Sequence, residues 1–128
     1  MIASGLATTR NLHESWAWVV VISNGLVGLW AIAANWLTPL RGRALWWVIG
    51  AAEFTVFGQA MLGAVMVGTY KVKLPEFHAF YGFFALFTIA IIYSYRNQMK
   101  HRLYFLYGFG SLFVMGLGIR SMLIATTR

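Results

Sequence analysis

Residues 16–37 read WAWVVVISNGLVGLWAIAANWL, twenty-two positions without one ionisable side chain. A helix rises about 1.5 Å per residue, so about twenty apolar residues cross a hydrocarbon core of about 30 Å. Three further runs of that kind follow, at 45–70, 77–95 and 103–126. The segments between them are short and chemically distinct: TPLRGR (38–43), KVKLP (71–75) and RNQMKHR (96–102). Trp16, Trp18, Trp36, Trp46, Trp47, Tyr70, Tyr95 and Tyr104 gather near the ends of the runs, where amphipathic rings favour the membrane–water boundary. The pattern predicts one all-α domain over residues 1–128. Its architecture is an integral membrane four-helix bundle with four transmembrane helices and short loops.

Composition points the same way. The chain is 60% apolar and 10% charged, against about a quarter charged in a soluble domain, so it cannot cover a water-facing surface. Three acids (Glu14, Glu53, Glu76) stand against ten Lys and Arg, a net charge of +7. These bases fall between apolar runs or near the termini, where anionic lipid headgroups would meet them; no nucleic-acid partner is expected. The absence of cysteine excludes disulfides and thiolate-ligated metals. Residues 1–15 lack a basic start, an apolar stretch and a cleavage site, so the first span is expected to be retained as the insertion signal.

Four crossings put both termini and the Lys71/Lys73 loop on one side. Arg41, Arg43, Arg96, Lys100 and Arg102 then share the other side, against Arg10, Lys71, Lys73, Arg120 and Arg128. The compact loops favour cytoplasmic loops with both termini outside, and a bacterial plasma membrane is the expected location. Small residues recur at helical spacing in three spans: Gly25, Gly28 and Ala31; Ala60, Ala64 and Gly68; and Gly108, Ser111, Met115 and Gly118. Such stripes let helix backbones approach in lipid, within the chain or against another subunit.

Few polar residues remain to carry chemistry. His13 precedes the first run and His78 opens the third, so both imidazoles belong at one membrane face. Two neutral imidazoles from separate helices can ligate haem iron axially, and Arg10, Lys71, Lys73 and Arg120 at that face could meet its propionates. Their alternative role is interfacial, beside the aromatic belt. His101 lies in the basic loop opposite. Glu53 falls near the middle of the second run, where a charge costs several kcal/mol; protonation is the cheapest relief. Asn24 has a comparable depth, whereas Gln59, six residues on, is turned about 240° from Glu53. An Arg120–Glu14 pair would relieve both charges, although a snorkelling Arg120 needs no partner. Glu76 behind Pro75 suits a helix start.

No nucleophile elbow, phosphate-cradling loop or carboxylate pair occurs, and Gly108-Phe109-Gly110 is half a dinucleotide fingerprint inside an apolar run. The expected function is therefore a non-catalytic accessory or assembly subunit of a larger membrane complex, respiratory or transport, with no catalytic activity of its own. Asn24, Glu53, Gln59 and Arg120 would be its helix or subunit contacts. Other membrane subunits and anionic lipids would be its partners, a homo-oligomer is compatible, and no cofactor is required. One alternative is an electron-transfer subunit holding haem b through His13 and His78. Another is a small proton-coupled transporter using Glu53.

Overall fold

A computed structural model of the chain describes residues 2–73 and 77–126. It contains four α-helices: α1 (Ile2–Trp36), α2 (Arg43–Gly68), α3 (His78–Ser94) and α4 (Leu103–Thr126). Short 3-10 turns at Thr38–Leu40 and Lys100–Arg102 precede α2 and α4. Among the described residues there is no strand.

The helices differ from the apolar runs at their ends. Helix α1 starts fourteen residues before Trp16, because hydropathy marks lipid-compatible sequence while backbone hydrogen bonding continues through the more polar residues before it. Three stretches, Ser4–Trp36, Arg43–Gly68 and Lys100–Leu123, are long and apolar enough to cross a membrane. Helix α3 has 17 residues, about 26 Å of rise. It opens behind Phe77, whose backbone is left-handed (φ 67°). The helix start expected at Pro75 and Glu76 falls outside the described residues. At the close of α2, Lys71 takes the left-handed conformation (φ 58°) and the Val72 N–H donates to the Met66 carbonyl.

The most extensive packing joins α1 to α4, followed by α1–α2 and α3–α4, whereas α2 and α3 touch only sparsely. The four helices thus form a ring with one loose seam. Glycines set its tightest crossing. A Cβ at Gly28 would lie 2.9 Å from the Gly108 carbonyl oxygen, and one at Gly108 would lie 3.0 Å from that of Gly28. Gly25 meets Met115, and Gly118 meets Val21. The small residues of α1 and α4 are therefore spent on each other, while Ala60, Ala64 and Gly68 of α2 remain exposed.

Side chains fill the ring in layers. Val27, Ala31, Ala34, Leu45, Ile49, Ala52, Ile92 and Tyr107 form one buried cluster toward the α1–α2 loop, and Val20, Val56, Ala85, Ile89 and Val114 form the next. At the loop end, arginines close the helices: Arg41 donates to the Ala34 and Asn35 carbonyls (2.7 and 2.8 Å), and Arg96 to that of Tyr93 (2.7 Å). A cation beside the last carbonyls is favoured by the helix dipole. Beyond the second apolar cluster the ring turns polar.

Candidate functional site

That polar layer draws on all four helices. His13 comes from α1, Gln59 and Gly63 from α2, His78 from the first turn of α3, and Ser121 from the last turns of α4. Topology explains the convergence: the start of α1, the end of α2, the start of α3 and the end of α4 share one end of an antiparallel ring.

The two imidazoles meet there, with ring centres 6.0 Å apart and planes inclined by 67°. Metal–nitrogen bonds of about 2 Å place two imidazoles that share one metal ion about 6 Å apart, centre to centre. The rings of such a pair turn independently about the common axis, so a large interplanar angle is compatible with it. The separation is compatible with a shared metal and equally with an edge-to-face contact between the two rings.

Hydrogen bonding orients the His78 ring. Its Nδ1 lies 2.9 Å from Ser121 Oγ and 3.2 Å from the Ser121 carbonyl oxygen. With the proton on Nδ1 the ring donates to the Ser121 oxygens and the Nε2 lone pair is free; with it on Nε2 the Ser121 hydroxyl donates to Nδ1 instead. Metal-binding histidines are commonly oriented by a bond donated from the second nitrogen. His13 is held differently. Its backbone carbonyl accepts from Gln59 Nε2 at 2.8 Å, and its ring approaches Gly63, where a Cβ would lie 3.4 Å from Cε1. The Gln59 backbone carbonyl lies beside the ring, yet His13 Nδ1 and Gln59 Oε1 are both buried without a hydrogen-bond partner. A buried unpaired polar atom is costly, and here two adjoin the imidazole pair.

Among the described residues no group of three or more His, Cys, Asp or Glu side chains could hold a metal ion. Two imidazoles satisfy half of a tetrahedral zinc site. They satisfy in full the axial demand of a haem, which brings four equatorial nitrogens of its own. The donor set therefore fits haem better than a bare ion. Arg10, one helical turn before His13, and Arg120, next to Ser121, are exposed at this end, as are Lys71 and Lys73.

The other polar residues lie elsewhere. Asn24 is fully buried; its Nδ2 donates to the Val20 carbonyl (2.9 Å) and across to the Ala52 carbonyl of α2 (3.3 Å), while Oδ1 is left unpaired. Trp16 Nε1 adds a bond to the Thr55 carbonyl (2.8 Å), so a polar ladder of Asn24, Trp16 and Gln59 ties α1 to α2. Glu53 is half-buried and within electrostatic reach of Tyr107. Tyr107 lies thirteen residues before Arg120 on α4, about 20 Å of rise, so Glu53 and Arg120 do not meet. Glu14 and Arg120 are both exposed, as is His101 at the opposite end.

Ser121 and Gly63 were not legible as site residues in the sequence. Their only signals are weak: Ser121 is a hydroxyl in an apolar run, and Gly63 follows Gln59 by one helical turn. The chain matches no protein-family model, no characterised protein and no solved structure.

Proposed function

We propose that the chain is an integral membrane four-helix bundle that binds one haem b between His13 and His78 and passes electrons within a larger membrane complex. The observation that carries this reading is the 6.0 Å separation of two imidazoles from different helices. The contacts that hold His78 Nδ1 at Ser121 and the unpaired His13 Nδ1 support it. Haem would supply a one-electron couple whose potential responds to its axial ligands and their hydrogen bonds. The protein's own part is to present two neutral nitrogens, to orient the His78 ring through Ser121, and to offer Arg10, Lys71, Lys73 and Arg120 to propionates. The sparse α2–α3 packing makes that pair of helices the place where the ring of helices would part most readily to admit a flat group.

The test is spectroscopic. Protein made with ample haem and purified in mild detergent should show the Soret and sharp reduced bands of a low-spin bis-imidazole centre. His13→Ala and His78→Ala should each lose that low-spin spectrum while keeping their helical circular dichroism, and His101→Ala should leave it unchanged. A wild-type protein that stays colourless with haem supplied overturns the reading.

A second reading, the accessory or assembly subunit without a cofactor, is favoured by one observation. The stripe of Ala60, Ala64 and Gly68 on α2 is exposed, and a Cβ at Gly68 would meet nothing within 4 Å. A partner helix could approach closely there. Colourless protein recovered with large membrane partners at fixed stoichiometry would favour it.

A further inference from the structure

At the end of the bundle opposite the imidazoles, two shallow clefts, open to the surroundings, lie side by side with Trp46 as their common wall. One, about 280 Å³, is lined by Arg43, Trp46 and Trp47. The other, about 270 Å³, is lined by Trp46, Arg96, Asn97, Lys100, Leu103 and Tyr107. We infer that these clefts bind the headgroup of an anionic phospholipid.

Charge is the first reason. The segments that build this end, 38–47 and 93–107, hold Arg41, Arg43, Arg96, Lys100 and Arg102 and no carboxylate, since the three acids are at 14, 53 and 76. Arg41 and Arg96 are committed to helix carbonyls, and each also covers an aromatic ring, Tyr104 at 4.9 Å and Tyr93 at 3.7 Å. That leaves Arg43, Lys100 and Arg102, all exposed; Arg102 stands over the Phe105 ring at 6.0 Å and lines neither cleft, so Arg43 and Lys100, one in each cleft, are placed to meet an anion. A guanidinium suits a phosphate group through paired N–H donors, and Asn97 adds neutral donors.

Shape is the second reason, and it separates a lipid from a free ion. Below Arg43 the outer stripe of α2 continues through Trp47, Gly50 and Phe54, spaced four, seven and eleven residues on. Trp47 is 78% exposed and Phe54 73%, and a Cβ at Gly50 would meet nothing within 4 Å. An acyl chain can lie along that stripe in the gap between the two rings while its phosphate stays with the cations. Basic pockets at the ends of membrane helices recognise anionic headgroups in this way.

The experiment is a lipid titration of the full-length protein in a neutral detergent, read by thermal unfolding and by native mass spectrometry of retained lipid. Phosphatidylglycerol should raise the unfolding temperature and remain bound, whereas phosphatidylcholine and inorganic phosphate should do neither. An Arg43→Gln/Lys100→Gln variant, which alters two exposed side chains, should bind phosphatidylglycerol roughly 30-fold more weakly, about five-fold for each cation. A Lys71→Gln/Lys73→Gln variant, at the other end, should bind like the wild type. Equal stabilisation by phosphatidylcholine, loss of binding in the Lys71/Lys73 variant alone, or unchanged binding in the Arg43/Lys100 variant overturns the inference. So does inorganic phosphate acting as strongly as the lipid, which would make this an ion site.

Discussion

Asn24 has no exposed surface, yet its amide is only half satisfied: Nδ2 bonds two carbonyls while Oδ1 is buried without a partner. Interhelical hydrogen bonds in membranes average about 0.6 kcal/mol, and an unsatisfied buried acceptor costs about 1–3 kcal/mol. The orphaned acceptor costs more than the bond contributes. Asn24→Leu should therefore stabilise the bundle by up to about 2 kcal/mol, since it removes the bond and the orphaned oxygen together. Asn24→Asp sets a carboxylate against the Val20 and Ala52 carbonyls and should cost about 3 kcal/mol. Equilibrium unfolding in mixed micelles with a denaturing detergent would measure both. At this scale the sequence was informative where polarity interrupts or borders an apolar run: Asn24 and Gln59 inside their runs, His78 at the opening of one and His13 just before another. Their partners carry no such mark. The acceptors are the backbone carbonyls of Ala52 and His13, and any residue carries a carbonyl, so no side-chain pattern reveals which one is used.

Helices α1 and α4 cross where Gly28 and Gly108 face each other's carbonyls, and the absence of both side chains sets how closely the axes approach. Gly28→Ala and Gly108→Ala should each destabilise the bundle by about 1–3 kcal/mol through overpacking. A Cβ at Gly116 would meet nothing within 4 Å; there Gly116→Ala should stabilise by up to about 1 kcal/mol through helix propensity alone. Thermal unfolding of the three variants in one detergent would rank them, and equal effects at Gly28 and Gly116 would contradict the close crossing. The small-residue stripes were visible in the sequence, but which stripes face each other was not. Spacing places residues on a common face without naming the helix opposite. The length of α1 was hidden for a related reason: residues 2–15 lack the hydropathy that marks a span, and their helical state leaves no periodic trace.

Across the whole molecule, four crossings would place the start of α1 and the α2–α3 connection on one side, with the α1–α2 and α3–α4 loops on the other. Helix α3 decides the matter, because its 17 residues give about 26 Å against a core of about 30 Å. The chain has no cysteine, so single introduced cysteines report without background. Thr8→Cys and Lys73→Cys should react with a membrane-impermeant maleimide from one side of sealed vesicles, and Thr38→Cys and His101→Cys only from the other. Reaction of Lys73→Cys and His101→Cys from the same side would show that α3 does not cross. The helical content and the four apolar runs were legible from hydropathy and punctuation alone. The convergence of His13 and His78 was legible only as a shared end of the bundle; their contact depends on how α1 and α3 pack around α2 and α4.

The loose α2–α3 seam has a consequence for how the chain could be divided. Two helical hairpins, α1–α2 and α3–α4, are held together mainly through α1 and α4, and the link between them spans the pair of neighbours that touches least. That link acts as a tether: it raises the local concentration of one hairpin near the other. A break there would turn one polypeptide into two complementary fragments with their principal interface intact. A break in either of the other loops would instead divide a well-packed hairpin. Gene fission, if it ever visited this architecture, would be best tolerated between Lys73 and Phe77.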